Sequence, residues 1–143
     1  MTRTVRSVLI VDDVPADVEW CEMMLAQSGR FRSIMVATDG EEAIELYERY
    51  EESRRKYPDV FPPLLILLDI AMPRLDGFEF LEQYEVLRVK DRRLDEPSIV
   101  VMLTSSGESA DRARAEDFGL VKDYIVKPLT AERATELADS FGE

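Results

Sequence analysis

Five short apolar runs, none of them broken by alternating polar residues, constrain this chain more than any other feature. They are Ser7-Val8-Leu9-Ile10-Val11, Ser33-Ile34-Met35-Val36-Ala37, Leu64-Leu65-Ile66-Leu67-Leu68, Ser98-Ile99-Val100-Val101-Met102-Leu103 and Tyr124-Ile125-Val126. A strand with one face in water alternates apolar and polar side chains. A run without that alternation is covered on both faces, as in a parallel sheet flanked by helices. The stretches between the runs carry helical spacing. The first helix is expected from about 15 to 27, with Pro15 in its first turn, Val14, Val18, Cys21, Met24 and Leu25 on one face, and Gly29 beyond its end. The second starts near Gly40 and runs unusually far, through Ala43, Ile44, Leu46, Tyr47 and Tyr50 toward Lys56, until Pro58, Pro62 and Pro63 forbid continuation. Three more helices are expected over 78–90, 110–118 and 131–141. A βα unit repeated five times predicts a doubly wound α/β fold: a five-stranded parallel sheet in the order 2-1-3-4-5 with helices on both faces.

The 143 residues suit a single domain, 1–143 with its core over about 6–141, and no output domain is expected. No apolar run approaches the roughly 20 residues that span a bilayer. Val8 to Val11 is too short for a signal-peptide core and ends in two aspartates. The formal charge of −12, with basic residues scattered among acidic ones, excludes direct nucleic-acid binding from the expectation. Cys21 is the only cysteine, so neither a disulfide framework nor a thiolate metal cluster is available, which fits a reducing cytoplasm. Histidine is absent altogether. That removes Ser-His-Asp triads, histidine-ligated zinc and phosphohistidine on this chain, and leaves carboxylates, hydroxyls and amines to do any chemistry.

In open α/β sheets the site lies beyond the carboxyl ends of the strands, where the strand order reverses. Here the strands are followed by Asp12-Asp13 after the first, Asp69 after the third, Thr104-Ser105-Ser106 after the fourth and Lys127-Pro128 after the fifth. Singly, each is an ordinary helix cap, turn or surface lysine. Together they supply what phosphoryl transfer needs. Three carboxylates at one edge repel each other unless a cation joins them, and an all-oxygen donor set suits Mg²⁺, with Mn²⁺ as the alternative. A lysine ammonium and a threonine hydroxyl then match the oxygens of a phosphoryl group. The nucleophile must be a carboxylate, and Asp69, ending the central strand, is the best placed to form an acyl phosphate.

At these residues the chain resembles the receiver domain of bacterial two-component response regulators, a flavodoxin-like fold. The markers are Val8-Leu9-Ile10-Val11-Asp12-Asp13, Leu67-Leu68-Asp69-Ile70-Ala71-Met72-Pro73-Arg74-Leu75-Asp76-Gly77, Met102-Leu103-Thr104-Ser105 and Asp123-Tyr124-Ile125-Val126-Lys127-Pro128. The resemblance implies that Asp69 takes a phosphoryl group from phosphohistidine on a sensor histidine kinase or a histidine phosphotransfer protein. It implies that Asp13 binds Mg²⁺ directly, that Asp12 assists through water, and that Asp69 and the main-chain carbonyl of Ala71 complete the protein ligands. Thr104 and Lys127 would grip the phosphoryl oxygens, with a cis Lys127-Pro128 bond. Tyr124 matches a switch aromatic that turns inward as Thr104 moves, the small Ser105 leaving room. The face made by the helix over 110–118, the fifth strand and the helix over 131–141 would carry the response, including homodimerisation.

Two positions depart from the commonest pattern of the family. Ala71 and Ser106, each two residues beyond a site residue, stand where the family tunes hydrolysis of the acyl phosphate, and neither has a long polar arm. The long second helix with its proline tail and the charged loop over 89–97 resemble the stand-alone regulators paired with bacterial phytochromes. Two other functions compete. A pseudo-receiver that only binds partners has no need of intact Asp12, Asp13, Asp69, Thr104 and Lys127. An aspartate-based phosphohydrolase normally carries Asp-x-Asp after its first strand, whereas here the pair is adjacent and Val14 fills the third place.

Overall fold

The computed structural model describes residues 2–105 and 107–143. Strands β1 (Val8–Val11), β2 (Ile34–Ala37), β3 (Leu65–Leu68), β4 (Ile99–Thr104) and β5 (Val121–Val126) form one parallel sheet in the order β2-β1-β3-β4-β5. Between and after them lie helices α1 (Pro15–Ser28), α2 (Gly40–Glu48), α3 (Tyr50–Lys56), α4 (Gly77–Lys90), α5 (Ser109–Glu116) and α6 (Ala131–Phe141). This is the flavodoxin-like arrangement expected. No helix among the described residues is long and apolar enough to cross a membrane.

Because side chains alternate across a strand, each central strand feeds two cores. Val8, Ile10, Leu65, Leu67, Val101 and Leu103 pack with Val18, Cys21 and Leu25 of α1 and Ala134 and Leu137 of α6. Leu9, Val11, Ile66, Leu68, Val100 and Met102 pack on the other face against α2, α4 and α5, where Tyr47, Phe78, Phe80 and Tyr84 are among the bulkiest fully buried side chains. Two-sided burial holds for β1 and β3 throughout and for β4 beyond Ile99, but the edge strands β2 and β5 are only partly buried. An edge strand lacks a neighbour on one flank, so solvent reaches its side chains there.

Several boundaries differ from expectation. The long second helix is two helices, broken at Arg49, whose φ of −100° and ψ of 53° are not helical. The Ser53 hydroxyl donates to the Leu46 carbonyl across the break at 2.7 Å, a local side-chain bond that competes with the helical ladder. Val14 does not join the buried face of α1. It is the N-cap residue and is exposed, while Gly29 ends the helix at φ 69° as anticipated. Strand β5 begins at Val121, three residues early, because Lys122 and Asp123 alternate as an edge strand allows; its register against β4 shifts between Val100 and Val101. Helix α5 stops at Glu116, where Asp117 and Phe118 donate back only three residues, to the Arg114 and Ala115 carbonyls. Phe118 then stacks on Phe78 with ring centroids 6.0 Å apart.

Candidate functional site

Parallel pairing in register brings the carboxyl ends of β1, β3, β4 and β5 to one edge. The backbone N–H groups of Asp12 and Asp69 continue the ladders, donating to Ala37 and Val11 at 3.1 and 3.0 Å. Asp12 and Asp69 are nearly fully buried, at 2% and 5% exposure, and Thr104 is buried at the end of β4. Each of Asp12, Asp13 and Asp69 places a carboxylate oxygen within 4.8 Å of the others'. The Lys127 backbone N–H donates to the Thr104 carbonyl at 2.8 Å, and the Lys127-Pro128 bond is cis. The Lys127 ammonium lies 2.8 Å from Asp12, 2.9 Å from Asp17 and 3.6 Å from Asp69.

The loop after β3 is pinned from below. Asp76 and Glu79 form a reciprocal capping box at the start of α4, and the Gly77 N–H donates to the Ile70 carbonyl at 2.9 Å. A Cβ on Gly77 would lie 2.4 Å from the Asp69 carbonyl oxygen and 3.0 Å from the Ile70 Cα. Glycine is therefore required for α4 to start directly against the backbone of Asp69. In the sequence Asp76-Gly77 reads as a plain turn; the close approach that makes it part of the site's support is visible only in three dimensions.

The electrostatics are those of a carboxylate cluster short of positive charge. Burial raises the Asp69 pKa to about 6, and the neighbouring Asp12 and Asp13 charges add to this against the opposing pull of Lys127. Burial works against the charge on Lys127, yet its hydrogen bonds to Asp12 and Asp17 outweigh that and hold it above the ordinary lysine range. The two shifts agree, because Lys127 sits closer to Asp12 and Asp17 than to Asp69. Asp12 also accepts from the Val14 N–H at 3.0 Å, whereas Oδ1 of Asp13 is buried with no hydrogen-bond partner among the described residues. An orphaned carboxylate oxygen beside two more carboxylates is the donor set of a hard divalent cation, so these residues fit Mg²⁺.

Of the residues expected at the site, Asp12, Asp13, Asp69, Thr104 and Lys127 converge on this edge. Ala71 and Ser105 lie exposed on the loops after β3 and β4, and Ser106 falls outside the described residues. The Tyr124 ring is buried, with the Arg112 guanidinium 4.6 Å from its centroid. Cys21 lies behind the site, and burial pushes its thiol up to about 12, leaving it without thiolate character. Asp17 was not anticipated. Its sequence position, an acidic residue in the first turn of α1, reads as ordinary complementation of the helix dipole and carries no signal of this contact.

With this geometry the relatives can be read. Residues 8–139 match the response regulator receiver domain family, and the chain belongs to it. The probable transcriptional regulator ycf27 of Guillardia theta is 35% identical over 90% of this chain, which spans 42% of that relative's length. A two-component response regulator from Cytophaga hutchinsonii has the same fold with a TM-score of 0.79, at 30% identity over 97% of this chain and 98% of that one. The phosphorylated cyanobacterial phytochrome response regulator RcpA superposes with a TM-score of 0.69, at 27% identity over 94% of this chain and 89% of its own. The chain is thus a receiver domain, a signalling unit of two-component systems that is phosphorylated in such relatives.

Proposed function

We propose that this receiver accepts a phosphoryl group on Asp69 from phosphohistidine of a cytoplasmic sensor kinase or histidine phosphotransfer protein, in a Mg²⁺-dependent reaction. The carrying observation is the placement of a buried Asp69 between an acidic pair with an orphaned oxygen and a lysine ammonium 3.6 Å away. A carboxylate oxygen of Asp69 attacks phosphorus, the P–N bond breaks, and the departing imidazole nitrogen keeps the electron pair and takes up a proton. Asp12, Asp13 and Asp69, with the Ala71 carbonyl, would hold the cation, whose charge would offset that of the transferring oxygens. Lys127 shifts toward the new phosphoryl oxygens, and the Thr104 hydroxyl donates to one of them.

The signal passes through Thr104 and Tyr124. The Tyr124 ring is already buried beneath Arg112, so phosphorylation acts by deepening the population of an inward state and fixing the face made by α5, β5 and α6. That face then changes its protein partners, or Asp69 passes the phosphoryl group on to a histidine of another protein.

The test is incubation with a radiolabelled small phosphodonor and Mg²⁺, comparing wild type with Asp69→Asn. Stable incorporation in the wild type and its near-complete loss in a folded variant are expected. Equal labelling of the variant would overturn the assignment, and labelling that survives chelation of divalent cations would remove the metal from it.

A further inference from the structure

We propose that Asp17 is a positioning residue that competes with the phosphoryl group for Lys127, and so sets how tightly the phosphorylated state is held; this rests on the reading of Asp69 as phosphoacceptor. An ammonium has three protons to give. Two are engaged by Asp12 and Asp17 at 2.8 and 2.9 Å, while Asp69 at 3.6 Å has an ion pair without a good hydrogen bond. Asp12 and Asp69 belong to the cation cluster, so bound metal takes up their charge. Asp17 lies outside that cluster and its side chain has no other basic partner among the described residues. It therefore keeps its full hold on Lys127 when a phosphoryl group arrives at Asp69. Part of the energy with which Lys127 would grip that group is spent in leaving Asp17.

A second contact shows that α1 governs this loop. One turn beyond Asp17, the Trp20 indole N–H donates to the Leu129 carbonyl at 2.7 Å, and the Leu129 side chain is anchored in the core. Helix α1 thus grips both Lys127 and the residue two positions later. Movement of Lys127 from Asp17 to a phosphoryl oxygen is felt at Trp20, the only tryptophan of the chain.

The experiment is a titration with beryllofluoride, a stable phosphoryl analogue, at saturating Mg²⁺, read by Trp20 fluorescence and independently by calorimetry. Asp17→Asn is expected to bind about two- to fivefold more tightly than wild type, the size of one part-exposed ion pair. Asp17→Glu, which restores a carboxylate, returns toward wild-type affinity. Glu19→Gln, which removes an exposed charge from the same helix without touching Lys127, leaves it unchanged. Unchanged or weaker binding by Asp17→Asn, or equal tightening by Glu19→Gln, would overturn the role of Asp17. Binding that persists in Asp69→Asn, or is absent from the wild type, would instead overturn the phosphoacceptor reading and this inference with it.

Discussion

The two ends of β4 bury polar groups in opposite ways. At its amino end, Ser98 is closed into a network: its hydroxyl donates to the Pro63 carbonyl at 2.6 Å, Tyr47 OH lies 2.9 Å from it, and its N–H donates to Tyr84 OH at 3.0 Å. Since the serine proton is given to Pro63, the Tyr47 hydroxyl is the donor to Ser98. Around these groups the rings of Tyr47, Phe61, Phe80 and Tyr84 meet at centroid distances of 4.7 to 6.5 Å. At its carboxyl end, Thr104 closes the strand at the edge that holds three clustered carboxylates, one oxygen of which has no hydrogen-bond partner among the described residues, and a lysine shared by Asp12, Asp17 and Asp69. A closed polar network fixes structure; an open one holds unspent interaction energy that a cation and a phosphoryl group can draw on.

Removing a ring from the closed end has the largest expected effect. Tyr84→Ala takes out a side chain only 1% exposed together with the acceptor for the Ser98 N–H, and should cost about 3–5 kcal/mol in urea denaturation. A cost below about 1 kcal/mol would mean that the amino end is not closed in solution.

At the open end, removing a charge should stabilise. Asp69 has a folded-state pKa of about 6 against an ordinary value of 3.8, so its contribution to stability is fully present below about pH 4 and is lost as pH rises through 6. In the absence of divalent cations Asp69→Asn should therefore be more stable than wild type by on the order of 2–3 kcal/mol at pH 7, with the difference vanishing near pH 4. Denaturation midpoints of the pair across that range would show it, and a pH-independent difference would contradict it. The same titration makes Mg²⁺ binding weaken below about pH 6, since the proton and the cation seek the same oxygens.

The smallest effect sharpens the boundary between the two ends. Gly77→Ala forces a methyl group toward the Asp69 carbonyl and should cost about 1–3 kcal/mol. Its Mg²⁺ affinity should fall as well, because Asp69 must move. Lost stability with unchanged affinity would show that α4 supports the fold and not the site.

How much of this was legible beforehand follows the same division. The sheet order came from five unalternating runs and the strand ends named the converging residues, because periodicity and topology are written locally. The exposure of Val14, the break at Arg49 and the early start of β5 were not legible, since a cap, a side-chain bond to the backbone and an edge flank decide them, and hydrophobic periodicity records none of these. Asp17 was missed for another reason. A lone aspartate in a helix's first turn is ordinary dipole complementation, and only its distance to Lys127 separates it from that role.

The break at Arg49 divides responsibility along the polypeptide. Helix α2 is capped by Asp39, which pairs with Arg74 on the loop after β3, so its first turn is tied to the functional edge. Helix α3 belongs to the opposite edge, where Tyr50 packs on Phe61 and Arg93 covers Tyr50 while pairing with Glu51 and Asp91. A rigid helix over 40–56 would transmit any change in the proline segment or the charged loop to the carboxyl edge of the sheet as through a lever. The interrupted one lets the distal edge shift about Arg49 while the carboxylates at the other edge keep their alignment.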